Sequence, residues 1–134
     1  MSYEKRGSYN HKAMGKQLLC FDGIDYGGNI TPMDIDGLIE WHDQKRVLLE
    51  IKLQGVKVLT GERVALERMV KDFARVGKES MAIIADHKVF QTDKDVYVRD
   101  CIVREIYHSR EQVWRPTKRM MTVGTLLDSF LLAS

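Results

Sequence analysis

The sequence predicts a mixed α/β domain, a central β-sheet flanked by helices. Three observations predict it. Two apolar runs, Ile35 to Trp41 and Val47 to Leu53, are separated by a polar bend of hairpin length. An amphipathic helical stripe follows and leads into a third apolar run, Met81 to Ala85. A helix between two strands of one sheet implies a parallel pair joined by a right-handed crossover.

Composition bounds the rest. A chain of 134 residues suits one compact domain, 1–134, with the polar residues 1–9 expected to be flexible. A hydrophobic fraction of 44% supports a core without disulfides. The formal charge of +2 is too small to imply nucleic acid by itself, so local patches matter more than the total. Cys20 and Cys101 form no metal-binding or redox spacing and are expected to be buried free thiols in a reducing, cytoplasmic setting. No signal peptide is expected at the N-terminus, and no apolar run is long enough to span a membrane.

Taken in order, Met14, Leu18, Leu19 and Phe21 have roughly helical spacing, which predicts a short helix over 10–21. Gly23, Gly27, Gly28 and Asn29 mark a loop closed by Pro32. Ile35 to Trp41 reads as a strand, His42 to Lys45 as its turn, and Val47 to Leu53 as a strand apolar on both faces, suited to the middle of a sheet. Thr60 is a candidate N-cap, and Leu66, Met69, Val70, Phe73 and Val76 form the apolar stripe of a helix that Gly77 would terminate. Beyond Met81 to Ala85, the alternation from Asp95 to Tyr107 predicts one or two strands, and Gln112 to Arg115 another. Thr122 caps a last helix, Val123 to Ala133, with Leu126, Leu127, Phe130 and Leu131 on its inward face.

One constellation stands out against this frame. Glu50 and Lys52 lie two apart on the second apolar run, so they share a face about 6–7 Å apart, the face that Leu48 begins. An inward carboxylate and ammonium are expensive unless something pairs them. A divalent metal and a phosphate would do so, which makes Glu50, Lys52 and the preceding Asp36 a candidate phosphodiester-cleaving site.

Asp36, Glu50 and Lys52 resemble the PD-(D/E)xK pattern of the restriction-endonuclease-like nuclease superfamily. The similarity covers roughly residues 10–86 and includes the runs Asp-Ile-Asp-Gly-Leu-Ile-Glu, Glu-Ile-Lys and Gly-Glu-Arg-Val-Ala-Leu-Glu-Arg, which look like those of small standalone phage or bacterial members. The pattern departs from a strict Pro-Asp dipeptide, because Met33 separates Pro32 from Asp34. The resemblance implies a restriction-endonuclease-like core and a metal-dependent endo- or exodeoxyribonuclease. Asp36, Glu50 and the Ile51 backbone carbonyl would hold Mg²⁺, for which Mn²⁺ would substitute, and Lys52 would position or deprotonate the attacking water. Asp34, Glu62 and Arg63 are accessory candidates; where the superfamily often carries Gln on the first turn of the following helix, this chain has Glu62.

DNA is the partner so implied, in the cytoplasm of a bacterial or phage-infected cell, with a homodimer expected if both strands of a duplex are cut. Arg68, Arg75, Arg104, Arg115, Lys118 and Arg119 are candidate DNA-binding residues, those from Arg104 onward interleaved with aromatic residues. Two alternatives stand beside this reading: a catalytically silent DNA- or protein-binding module of the same fold, and a structure-selective nuclease acting on branched DNA or RNA.

Overall fold

A computed structural model describes residues 20–27 and 32–133. The chain divides into two units, Met1–Met33 and Asp34–Ser134, and among the described residues every regular element lies in the second. The helix expected over 10–21 falls largely outside the described residues; Cys20 and Phe21 are not helical, and Cys20 is exposed rather than buried.

The second unit is mixed α/β, a five-stranded sheet with two helices. Strands β1 (Gly37–Trp41) and β2 (Lys45–Leu53) form an antiparallel hairpin. Its turn, His42 to Gln44, places His42 and Asp43 at positive φ, a strain offset where Asp43 is held by Arg46 and Lys78. These contacts, the bond from Lys78 foremost, keep the Asp43 carboxyl below its ordinary pKa.

Helix α1 (Thr60–Arg75) then leads to β3 (Glu79–His87), which pairs parallel with β2 as the crossover requires. Thr60 is not the cap. It is already helical, and Leu59 occupies the N-cap; the Glu62 carboxylate accepts the Leu59 N–H at 2.9 Å, half of a capping box. At the other end Gly77 takes φ +83°, and Lys78 N–H donates to the Phe73 carbonyl and Gly77 N–H to that of Ala74, a Schellman closure.

Of the one or two strands predicted by the alternation from Asp95 to Tyr107, one forms, over a shorter stretch. Residues 95–97 are irregular and Val98–Asp100 forms a 3₁₀ turn; only β4 (Ile102–His108) is extended, antiparallel to β3. Strand β5 (Trp114–Arg115) is reduced to two residues beside β4, and α2 (Val123–Leu132) is capped by the Thr122 hydroxyl, which accepts from Thr125 N–H. The sheet order β1-β2-β3-β4-β5 follows the chain.

Each helix covers one face. Leu48, Ala82 and Tyr107 meet Leu66 and Val70 of α1; Val47, Leu49, Met81, Ile83, Ala85 and Val103 meet Val123 and Phe130 of α2. The strict alternation of these sets along β2 and β3 is the period-two rule at work. Leu66 is fully buried between α1 and the sheet, so Leu66→Ala should cost about 2–5 kcal/mol of unfolding free energy, measurable in urea. A loss under about 1 kcal/mol would show that this face is not tightly packed.

Candidate functional site

Glu50 and Lys52 continue the Leu48 row, so both point to the face covered by α1, beyond its first turn, at the carboxyl ends of the parallel strands β2 and β3. This is the end of an open α/β sheet where ligands ordinarily bind. Glu50 is 4% exposed. Its Oε2 lies 3.3 Å from Lys52 Nζ, and its Oε1 is buried with no hydrogen-bond partner. A buried acceptor without a donor costs about 1–3 kcal/mol.

Asp36 sits one step before β1. The pairing of Gly37 with Leu49 continues to set Asp36 opposite Glu50, and the Asp36 side chain ends the ladder by accepting the Ile51 N–H at 2.7 Å. A residue's N–H and C=O leave the same edge of a strand, so the Ile51 carbonyl faces this side as well. Asp34 is exposed and takes no part in that bond.

Lys52 is bracketed. Its ammonium reaches Glu62 at 3.2 Å as well as Glu50, and Glu62 holds the Leu59 N–H with its other oxygen. One carboxylate thus starts the helix and fixes the lysine. Burial opposes the charge on Lys52, but the bonds to Glu62 and Glu50 outweigh it and the pKa rises. Burial likewise pushes Glu62 up, and the Leu59 N–H and Lys52 outweigh it, so its pKa falls. Glu50 has no such surplus of donors. Desolvation, then the Asp36 charge, raises it to about 7 despite Lys52.

A second tier surrounds these groups. Arg63, next to Glu62, forms a two-pronged ion pair with Glu105 of β4, and its guanidinium lies 5.1 Å from the centre of the Trp114 ring. The Trp114 indole in turn donates to Glu67 at 2.6 Å. Arg104 pairs with Asp86, which stands opposite Lys52 in the ladder, and reaches the Val56 carbonyl at 2.9 Å. The register of β3 and β4 shifts between Ile84 and Ala85, so Arg104 is the extra residue of a β-bulge. Bulges re-aim side chains in this way next to functional sites.

Among the expected DNA-binding residues, only Arg104 is brought to the site. Arg68 is exposed on α1, Arg75 pairs with Asp72, Arg115 pairs with Glu111, and Lys118 and Arg119 are exposed after β5. Sequence reasoning missed Asp86, Glu105 and Glu67; the one signal for Glu105 was a charge pair, Arg104-Glu105, inside an apolar strand.

Five carboxylates (Asp36, Glu50, Glu62, Asp86, Glu105) face three cations (Lys52, Arg63, Arg104), an excess of two negative charges once Glu50 is ionised, above about pH 7. No group of three His, Cys, Asp or Glu side chains among the described residues is spaced to hold a metal ion. The donor set at Glu50 is of another kind: two carboxylates and a main-chain carbonyl, all oxygen. That fits a hard divalent cation that retains several waters. Such a cation would relieve both the orphaned Oε1 and the charge excess. In comparisons with known proteins, no family model, no curated protein and no solved structure matches this chain.

Proposed function

We propose that the protein is a Mg²⁺-dependent nuclease that hydrolyses phosphodiester bonds of DNA on a restriction-endonuclease-like core. The observation that carries the reading is the buried Glu50 carboxylate with an unpartnered oxygen, set between Asp36 and Lys52. Asp36, Glu50 and the Ile51 carbonyl would hold the metal. When bound, Mg²⁺, or Mn²⁺ in its place, supplies a water of lowered pKa and charge neutralisation at the scissile phosphate. Lys52 is held cationic by Glu62 and Glu50, which supports orienting the water and neutralising developing charge over abstracting a proton. Glu62 positions Lys52, and Arg63, braced by Glu105 and Trp114, offers a rigid guanidinium to a neighbouring phosphate.

The site's net negative charge supports a further expectation: DNA is held there only with the metal present, because phosphate is otherwise repelled. A homodimer is expected if both strands of a duplex are cut, since a two-fold protein matches a two-fold substrate. The test is cleavage of labelled duplex, nicked, flap, four-way-junction and single-stranded DNA, and of RNA, each in Mg²⁺, Mn²⁺ and EDTA. Metal-dependent cutting of a DNA substrate is expected. The second reading, a silent binding module, is favoured by the absence of a three-residue metal group among the described residues. DNA binding without cutting, and no Mg²⁺ or Mn²⁺ binding in calorimetry, would establish it instead.

A further inference from the structure

At the carboxyl end of β3 lies a cavity of about 300 Å³, walled by residues 86–89, 95–97 and 100–102. Asp86 ties it to the site just described: in the ladder it stands opposite Lys52, and it also lines the cavity. The walls are apolar at Val89 and Val96, and aromatic at Tyr97, which is 71% exposed. The volume is at the lower end for ligand pockets, room for a single flat heterocycle rather than stacked base pairs.

Charge decides which part of a nucleotide enters. Asp95 and Asp100 line the cavity and are exposed, and neither forms an ion pair among the described residues. Asp86 is already engaged by Arg104, and Lys88 is the one lysine or arginine of the lining. A phosphate there would face two uncompensated carboxylates. A base edge carrying N–H donors is complementary to them, since an ionised carboxylate only accepts. Guanine presents two adjacent donors, N1–H and the N2 amino group, the spacing a carboxylate accepts with both oxygens. Tyr97 adds an accessible π face for stacking.

We propose that this cavity is a nucleobase subsite, taking one unpaired base, guanine by preference, of the strand whose phosphate lies at Asp36, Glu50 and Lys52. The link to the cut strand rests on the nuclease reading. It makes the substrate unpaired beside the scissile bond, as in a single strand, a flap or a flipped-out nucleotide, because a stacked and paired base does not reach a side pocket.

The test pairs binding with cleavage. Deoxyguanosine, deoxycytidine and thymidine 5′-monophosphates are titrated into the full-length protein by NMR, and single-stranded and duplex DNA are cut in parallel. Deoxyguanosine monophosphate should shift resonances of residues 95–100 and bind about tenfold or more tightly than thymidine monophosphate. Tyr97→Ala should weaken it roughly 5- to 150-fold, the value of one stacked base. Asp95→Asn combined with Asp100→Asn should erase the guanine preference while leaving the fold intact, both residues being exposed. Equal binding of all three nucleotides, or no effect of Tyr97→Ala, overturns the subsite. If metal-dependent cleavage persists in that case, the subsite alone falls and the nuclease stands. Guanine-selective binding at residues 95–100 with no cleavage of any substrate upholds the subsite and removes the nuclease.

Discussion

Replacing Lys52 with Ala is expected to lower metal-dependent DNA cleavage by roughly 100-fold or more, the scale of losing one charge-stabilising donor. DNA binding in Mg²⁺ should change only a few-fold. The separation follows from placement. Lys52 is 19% exposed and turned toward Glu50 and Glu62, so it is poised for the reacting phosphate and contributes little to a general DNA-binding surface. The variant also leaves Glu50 and Glu62 without their shared cation, so a modestly lower melting temperature should accompany the loss. Lys52→Met, which keeps the apolar stem, controls for packing. Single-turnover cleavage, equilibrium binding and a thermal melt on the same preparations decide the matter; undiminished cutting by both variants removes Lys52 from the reaction.

Glu50→Leu should have the opposite sign on stability. The side chain is buried in line with Leu48, and one of its oxygens has no partner. Leucine there removes an orphaned acceptor and extends the apolar row, so the variant should be about 1–3 kcal/mol more stable at pH 8, while losing Mg²⁺ binding and cleavage. The pH dependence identifies the cause. Burial, then Asp36, lifts the Glu50 carboxyl from 4.5 to about 7. The folded state therefore holds a proton that the unfolded chain releases above about pH 4.5. The stability this group contributes is fully present below that pH, falls as pH rises to about 7, and is level above it. The fall amounts to about 3 kcal/mol. Denaturant melts at pH 4 and pH 8 should show the gap between variant and wild type widening toward pH 8. Metal affinity runs the other way, strengthening as pH rises through about 7, because the ligand must lose its proton. A leucine variant less stable than wild type at pH 8 would mean that Glu50 is better satisfied than its geometry indicates.

Much of this was legible in the sequence because it is local. Asp36, Glu50, Lys52 and Glu62 lie on a hairpin and the helix after it, and strand periodicity alone puts Glu50 and Lys52 on one face. Where the reading missed, the determinant was distant or shared by two conformations. Leu59 displaced Thr60 as the cap because the Glu62 carboxylate reaches back to the Leu59 N–H, and Glu62 is in turn positioned by Lys52. Val96 and Val98 alternate as strand residues do, yet both pack on the α2 cluster from irregular chain and a 3₁₀ turn. Period two records which residues point inward, and a loop can satisfy it as well as a strand. The outer tier of Asp86, Glu105 and Arg104 depends on the pairing of β3 with β4 and on a bulge within it, and neither leaves a mark in any short window.

The sheet order that follows the chain has a consequence for synthesis. Hairpin, α1 and β3 emerge from the ribosome in that sequence, so Asp36, Glu50, Lys52, Glu62 and the fully buried Leu66 are all translated before β4 begins. The face bearing Val47, Leu49, Met81, Ile83 and Ala85 is only partly covered, by Val96, Val98 and Cys101, until α2, the last of the described elements, is made. The nascent chain therefore lays down the hairpin and α1 part of its charged cluster first, gains Glu105 and Arg104 only with β4, and keeps part of its oily face open until α2 is made, the interval in which a chaperone would find it.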